Sequence, residues 1–175
     1  LNNGDTYTGQ FTDNVRSGKG IIDRFSSSAI IEGNFALGKL LSGTLTWSSG
    51  TYVGELIEAP DGLIYFEGEG RTTQNDGGWE SGTYAKGNLR EGTRTFPNGT
   101  RYEGSFNEAG FPFGQGTMYY YNGEIGHGLW RTEVNGSSIL QDGYAESNYP
   151  NGSSYNGNYT NGVPTGQGTM FYADG

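Results

Sequence analysis

A tyrosine, a glycine two positions later and an aromatic residue two positions after that recur along the whole chain. The clearest copies are Tyr7/Gly9/Phe11, Tyr52/Gly54, Tyr102/Gly104/Phe106 and Tyr155/Gly157/Tyr159. Weaker copies lie between them at Ile31/Gly33/Phe35, Glu80/Gly82/Tyr84 and Gly126/Gly128/Trp130. Self-similarity of this kind predicts an array of small units, each packed against its neighbours, rather than one irregular domain.

A second glycine follows each copy, often within a Gly-x-Gly sequence. These second glycines occupy positions 20, 43, 70, 92, 116, 143 and 168, which are 22 to 27 residues apart. The chain of 175 residues therefore holds about seven units with a period of about 23 residues.

Each unit has the composition of a β-hairpin. Its short segments are rich in Thr, Tyr, Phe and Trp and are bounded by Gly, Asn, Asp and Pro, which is typical of strands joined by tight turns. No segment of ten residues has helical periodicity. Asn98-Gly99 and Asn151-Gly152 provide the positive backbone angles that such turns require. We therefore predict an all-β chain of consecutive two-stranded hairpins.

The central glycine of the Tyr-x-Gly-x-aromatic pattern lies inside a predicted strand, where glycine normally weakens a sheet. Because strand side chains alternate between faces, this glycine shares a face with both rings of its copy. A bulky group must therefore approach the backbone closely there. We expect this group to be an aromatic side chain of the neighbouring strand, and we expect the aromatic residues of the pattern to form the core.

Composition limits the ligands that the chain can take. Although 33 residues are glycine, aromatic residues make up 14% of the chain, which supports an ordered structure. The formal net charge of −9 disfavours nucleic acid and anionic lipid, since both require clustered positive charge. The chain has no cysteine, so it cannot form a disulfide or a thiolate metal site.

The repeated residues resemble the MORN (membrane occupation and recognition nexus) repeat over essentially the whole chain. The best units run from Tyr102 to Gly123 and from Tyr155 to Gly175. This resemblance implies an elongated, single-layer, twisted antiparallel sheet of consecutive hairpins, with residues 1–175 forming one array. Since residue 1 is not Met and the last unit stops within the pattern, we interpret the chain as a piece of a longer protein.

The insertions and substitutions mark the units that depart from this pattern. Residues between Gly54 and Gly70, and between Gly128 and Gly143, exceed the usual spacing, and we expect them to distort their units or bulge outward. A choline-binding type of repeat is the nearest alternative. That repeat requires paired Trp residues, whereas the three Trp residues here have no fixed spacing.

The sequence indicates no catalytic, cofactor or metal site. His127 is the only histidine, and we expect it to face solvent on a strand. No helix is predicted after any Gly-x-Gly, so these glycines do not form a phosphate-binding loop. Glu67, Glu69 and Asp76 lie near the insertion between the third and fourth units, where we expect a solvated loop rather than an acid–base pair or calcium site. We therefore predict a chain that is not an enzyme and needs no cofactor.

Apolar residues outside the repeat pattern are the candidate partner contacts. We place them on inter-strand connections, where the strand pattern does not explain their apolarity. They are Leu40, Leu41, Ile57, Phe111 and Phe113.

The resemblance implies a structural role in an assembly. It favours an intracellular scaffold module that binds protein partners or self-associates, in the cytoskeleton or a cilium. One alternative is a membrane tether that binds anionic phospholipid through a local basic spot at Arg90, Arg94 and Arg101. Another is the regulatory region of a larger enzyme such as a phosphoinositide kinase or a methyltransferase.

Overall fold

The computed structural model describes residues 4–25, 27–60, 62–132 and 139–174. These residues form strands joined by short connections, with no helix among them. The all-β prediction is therefore confirmed. No helix in these ranges could span a membrane. Gly175, which we predicted to close the last unit, and much of the insertion between Gly128 and Gly143 lie outside the described residues.

The chain divides into two compact units, Leu1–Leu89 and Arg90–Gly175. Each is larger than a single repeat, and we call them the first unit and the second unit. In the first unit each strand pairs antiparallel with the next one along the chain. Its strands are β1 Thr6–Thr12, β2 Val15–Arg24, β3 Ala29–Ala36, β4 Lys39–Trp47, β5 Gly50–Glu58, β6 Ile64–Gln74 and β7 Trp79–Ala85.

The second unit follows the same scheme of consecutive antiparallel pairs. Strand β8, Asn88–Thr95, begins at the end of the first unit and lies mostly in the second. The other strands are β9 Arg101–Phe106, β10 Pro112–Tyr119, β11 Ile125–Thr132, β12 Ile139–Asn148, β13 Ser154–Thr160 and β14 Val163–Phe171. The prediction of consecutive β-hairpins is confirmed.

The Asn-Gly sequences form turns as predicted. In the turn between β8 and β9, Gly99 has a φ of 86° and its N–H donates to the carbonyl oxygen of Phe96 at 2.9 Å. The side chain of Asn98 accepts from the N–H of Thr100 at 2.9 Å. The same arrangement recurs at Asn151-Gly152. Positive φ at glycine is what allows the strands to reverse there.

A row of glycines runs across the strands of each unit, and we call it the glycine row. Each member is the cross-strand partner of the next in the first unit, which contributes Gly9, Gly20, Gly33, Gly43, Gly54, Gly70 and Gly82. The second unit contributes Gly92, Gly104, Gly116, Gly128, Ala145, Gly157 and Gly168. Each strand therefore crosses this row at one small residue.

Side chains alternate between a buried and an exposed face of the strands. In β3 the burial alternates at every residue, so that Ile31, Gly33 and Phe35 are buried while Ile30 and Glu32 are exposed. We call the face that carries the glycine row and the buried rings the ring face, and the other the open face. A period of two residues is what a strand with one covered face requires.

The group that covers the glycine pairs differs from our prediction. A Cβ atom built on Gly104 would lie 2.7 Å from the hydroxyl oxygen of Tyr102 and 2.8 Å from the Cα of Gly116. The covering ring therefore belongs to the same strand as the first glycine, and not to the neighbouring strand. The tyrosine side chain extends along its own strand over Gly104, and the end of its ring also lies over Gly116 on the neighbouring strand. Tyr7, Tyr52 and Tyr155 cover their glycine pairs in the same way.

Two repeats that lack the tyrosine fill this space differently. In the second repeat, Leu40 lies over Gly33, 2.5 Å from where its Cβ would stand. In the sixth repeat, the methyl carbon of Ala145 lies 2.5 Å from the Cβ position of Gly128. Gly143, which we predicted as the second glycine of that repeat, instead pairs with Tyr159 at a φ of 77°. Ala145 takes the place in the glycine row.

The insertion between Gly54 and Gly70 does not form a separate outward loop. It lengthens the β5–β6 hairpin, in which Glu58 pairs with Ile64. Glu58 then accepts a 2.7 Å hydrogen bond from Arg16 of β2, whose guanidinium stands 5.2 Å from the ring centre of Phe35. The added residues therefore fold back onto the ring face of the first strands.

Candidate interaction surface

The ring face of the first unit is occupied by its own side chains. Tyr52 is fully buried and stacks on Phe66 with ring centres 3.9 Å apart. Tyr84 meets both rings edge-on, at 5.3 Å from Tyr52 and 5.8 Å from Phe66. Tyr7 and Phe35 form another edge-to-face pair at 5.0 Å. These are favourable aromatic geometries, so this face forms the core of the unit.

Phe11 is the exception among the repeat aromatics, and our prediction that it is a core residue is wrong. Its ring meets Tyr7 edge-on at 5.2 Å, yet 58% of Phe11 is exposed. The equivalent Phe35 and Phe106 are buried. The difference arises because Phe11 lies near the end of β1, which within the described residues pairs only with β2. Among the residues that the structure describes, no second neighbouring strand covers the other side of its ring.

The second unit has the same kind of core. Tyr102 is fully buried and meets Phe106 edge-on at 5.2 Å and Trp130 at 6.2 Å. The indole N–H of Trp130 donates to the carbonyl oxygen of Gly116 at 2.8 Å. Tyr155 and Tyr159 form a further pair at 5.4 Å. Apart from Phe11, the aromatic residues of the repeat pattern are therefore packing residues in both units.

Burial changes the acid–base properties of these tyrosines. It raises the pKa of Tyr102 to about 12. Burial is also the main cause that raises the pKa of Tyr52 to about 12, and repulsion by the carboxylate of Glu55 adds to it. The hydroxyl of Tyr52 donates to the carbonyl oxygen of Glu55 at 2.9 Å, which satisfies a polar group inside the packed face.

The open face of the first unit holds a groove of about 760 Å³. Residues of β1 through β6 line it, so it runs across the strands. Its floor includes the backbone of Gly20, Gly33, Gly43 and Gly54 from the glycine row. Side chains on either side of the row form its walls, since residues before and after a ring-face glycine point to the open face.

One wall of the groove combines aliphatic and acidic residues. Ile21 is the cross-strand partner of Glu32, Glu32 of Thr44, and Thr44 of Val53. Ile21 and Val53 are 42% and 55% exposed, so the wall presents apolar surface to solvent. These four residues lie side by side on adjacent strands.

The other wall is polar. Ser42 is the cross-strand partner of both Asn34 and Glu55, and Asn34 donates to the hydroxyl of Ser42 at 3.3 Å. Together the lining residues include one lysine, Lys19, and three glutamates, Glu32, Glu55 and Glu69, for a formal charge of −2. The groove is therefore acidic with exposed aliphatic patches.

The open face of the second unit carries a different row of side chains. Glu103 pairs with Thr117, Thr117 with His127, and His127 with Glu146. The Nδ1 atom of His127 lies 2.8 Å from the Thr117 hydroxyl oxygen. His127 is exposed on its strand, as we expected from the sequence.

The candidate partner contacts take positions other than the predicted connections. Leu40 and Leu41 belong to β4, Ile57 to β5 and Phe113 to β10, and only Phe111 lies between strands. Leu40 is 3% exposed because it fills the space above Gly33, so it is a core residue. Leu41, Ile57, Phe111 and Phe113 are exposed, but they are divided between the two units.

The acidic residues near the insertion have separate structural roles. Glu67 accepts from the N–H of Lys86 at 3.1 Å, and Glu69 accepts from the hydroxyl of Thr83 at 2.6 Å. Asp76 closes the β6–β7 turn by accepting from the N–H of Gly78 at 2.9 Å. Glu67 and Glu69 thus belong to a strand and not to a loop. Within the described ranges, no group of His, Asp and Glu residues could hold a metal ion.

Arg90, Arg94 and Arg101 do not form one basic spot. Arg90 donates to the carbonyl oxygen of Asn107 at 2.8 Å, and Arg94 stands 5.0 Å from the ring centre of Phe106. Arg94 pairs with the buried Tyr102, on the ring face. Arg101 precedes Tyr102 and therefore lies on the open face, where it forms an ion pair with Glu103 at 2.9 Å.

Sequence reasoning did not identify the residues that line the groove, although the sequence contains a signal for them. The wall residues directly precede or follow a glycine of the row. Glu32 and Asn34 flank Gly33, and Val53 and Glu55 flank Gly54. Alternation along the strand assigns these residues to the face opposite the rings. Only the cross-strand register, however, shows that they stand next to one another.

The glycine row, the tyrosines that cover it and the consecutive hairpins define a repeat protein built from glycine-aromatic β-hairpins. The family model for the MORN repeat matches residues 7–24, 90–101, 102–125 and 155–175. The chain is a MORN-repeat protein. Repeats of this family are found in scaffold and membrane-binding proteins. No curated protein shows significant similarity to the chain.

The segments that the family model matches do not include every tyrosine that covers a glycine pair. The matched segments contain Tyr7, Tyr102 and Tyr155, each of which covers a glycine pair. Tyr52 lies outside them, yet it covers Gly54 and Gly70 in the same way. The packing of a tyrosine over a glycine pair therefore also occurs in a segment that the family model does not match.

Proposed function

We propose that the chain is a non-enzymatic protein-interaction module that binds a partner through the groove of the first unit. The observation that carries this proposal is the contrast between the two faces. The rings fill one face with the unit's own side chains, whereas the other presents an open groove of about 760 Å³ with exposed aliphatic walls. Exposed apolar surface next to polar groups is typical of sites that bind other proteins.

Charge favours a protein partner over a membrane. The groove has a formal charge of −2 within a chain of −9, so anionic phospholipid would be repelled. The arginines that could have attracted lipid are divided between two faces. We therefore rank the membrane tether below the scaffold.

The proposal assigns no catalytic step to this chain. His127 is the only histidine, and it lies on the open face of the second unit, while the groove belongs to the first. A regulatory role within a larger enzyme is compatible with the same groove, since the partner would then be a catalytic domain. Our proposal of an intracellular role in a cytoskeletal or ciliary assembly is supported by the family resemblance alone.

Affinity capture with two charge variants tests this function. The tagged chain and Glu32→Arg/Glu55→Arg would be incubated with lysate of ciliated cells, and each eluate would be divided between protein mass spectrometry and phospholipid analysis. Glu91→Arg/Glu146→Arg provides the control, because it changes the same charge on the open face of the second unit. We expect proteins that the chain and the control retain and that the groove variant loses. Enrichment of anionic lipid without such proteins would contradict the scaffold.

A further inference from the structure

We propose that the groove binds an extended polypeptide segment whose lysine or arginine side chains are spaced about four residues apart. This inference deepens the proposed function, because it names the chemistry of the partner for the same groove. It rests on the arrangement of the wall residues and on the charge of the groove.

The groove contains two pairs of an aliphatic residue beside a carboxylate. Ile21 stands directly opposite Glu32 on the neighbouring strand. Val53 lies two residues before Glu55 on the same strand and therefore on the same face. All four residues line the groove. Such a pair suits the side chain of Lys or Arg, whose methylene stem packs on apolar surface while its charged head reaches a carboxylate.

The spacing of the pairs defines the spacing of the ligand's basic residues. One pair spans β2 and β3 and the other lies on β5, and adjacent strands are about 4.8 Å apart. The centres of the pairs are therefore about 12 Å apart across the strands. An extended chain rises about 3.3 Å per residue, so positions i and i+4 are about 13 Å apart and point to the same side.

The groove also favours side-chain recognition over strand addition. Its floor belongs to interior strands, whose backbone groups already pair with both neighbours. A bound segment therefore crosses the strands and does not extend the sheet. Asn34, Ser42 and Thr44 provide further polar groups along the way.

A synthetic peptide tests this proposal directly. The probe is a fluorescent nine-residue peptide with Lys at positions 3 and 7 and only Ser and Gly elsewhere. One control peptide has Lys at positions 3 and 4, and another has Glu at positions 3 and 7. We expect the chain to bind the first peptide about fivefold more tightly than the second, and not to bind the third at low salt.

Protein variants locate the site. Glu32→Gln/Glu55→Gln should weaken binding of the first peptide at least fivefold, whereas Glu91→Gln/Glu146→Gln should change it less than twofold. Equal weakening by both variants, or equal affinity for both lysine peptides, would overturn the proposal because either result indicates attraction to net charge alone. Preferred binding of the acidic peptide, or of anionic vesicles containing phosphatidylserine, would also overturn it.

The outcomes separate this inference from the proposed function. If groove-dependent protein capture is observed but the spaced lysine peptide shows no preference, the groove binds a protein of different chemistry. If capture shows no groove dependence, the proposed function itself fails.

Discussion

The third and second repeats fill the space above the glycine row with different side chains. In the third, Tyr52 covers Gly54 and Gly70, and its ring stacks on Phe66. In the second, the tyrosine position is Ile31, and Leu40 enters the space above Gly33 from the neighbouring strand. The glycine row is present in both. The comparison shows that the row creates a volume that must be filled, while the residue that fills it can change.

The sixth repeat shows a third solution. Its tyrosine position is Gly126, and no ring from that position is available to cover the row. Here Ala145 replaces one glycine, so its own methyl group occupies part of the space. A buried methyl group is tolerated only where the tyrosine is missing, because at Gly70 a Cβ would collide with the ring of Tyr52. In the sixth repeat, the absence of the tyrosine ring leaves room for the methyl group of Ala145.

Removal of a covering tyrosine should have the largest effect. Tyr102 is fully buried, so Tyr102→Ala leaves a cavity above Gly104 and Gly116 and removes the ring contacts with Phe106 and Trp130. We expect the free energy of unfolding to fall by about 3–5 kcal/mol, measured by chemical denaturation. Tyr144, which is 68% exposed, provides the control: Tyr144→Ala should change it by less than about 0.5 kcal/mol. A loss below about 1 kcal/mol for Tyr102→Ala would contradict the role of the ring as core.

Filling the glycine row under a tyrosine should have the next largest effect. A Cβ on Gly104 would lie 2.6 Å from the carbonyl oxygen of Gln115, a backbone atom that cannot rotate away, and the φ there is 153°. Gly104→Val should therefore destabilise the protein by about 2–3 kcal/mol and lower its Tm. Gly143→Asn is the control, since nothing lies within 4 Å of its Cβ position and Asn tolerates a φ of 77°. An unchanged Tm for Gly104→Val would contradict the close packing of ring and backbone.

Much of this arrangement is predictable from the sequence, because period and alternation are local properties. The strands, the turns at Asn-Gly and the shared face of Tyr102 and Gly104 follow from residues close together in the chain. The role of Leu40 does not, because it depends on the register between β3 and β4. Likewise, only pairing with β13 shows that Ala145, and not the nearby second glycine of its repeat, joins the glycine row. The lining of the groove depends on register across six strands, which explains why sequence reasoning did not identify its residues.

The exposure of Phe11 has a related cause. The repeat pattern gives Phe11 and Phe35 the same position relative to their glycines, so the sequence alone predicts the same burial for both. Phe35 lies on a strand that pairs on both sides, whereas Phe11 lies on β1, which pairs with β2 alone among the described strands. Burial therefore depends on a strand's neighbours as well as on its own pattern.

The sixth repeat allows the opposite substitution to be tested. Ala145 is 3% exposed, and Ala145→Gly would restore glycine in the row but leave the space above it empty. We expect a loss of about 1–2 kcal/mol from the buried methyl group and from the greater backbone freedom of glycine in the unfolded chain. Gly70→Ala should destabilise as well, because its methyl group would meet Tyr52. If Ala145→Gly instead stabilised the protein in chemical denaturation, the methyl group would not be a filler.

The hydroxyl group of a covering tyrosine should contribute least, and its contribution should depend on pH. Tyr52→Phe keeps the ring but removes the hydrogen bond to Glu55, which should cost about 1 kcal/mol at pH 7. The pKa of Tyr52 is about 12 in the folded protein, against about 10 for an unfolded chain. Below pH 10 the hydroxyl is protonated in both states. Between pH 10 and 12 only the unfolded chain releases the proton, so the wild type loses stability as pH rises.

The variant cannot release this proton, so its stability should fall less over the same range. Chemical denaturation of both proteins at pH 7, 10, 11 and 12 measures the difference between them. We expect a wild-type advantage of about 1 kcal/mol at pH 7 that shrinks from pH 10 upward. Tyr144→Phe, at an exposed position, controls for the general effect of alkali. A difference that stays constant up to pH 12 would show that Tyr52 ionises as readily in the folded protein as in the unfolded chain, and that its hydroxyl is not enclosed above the glycine pair.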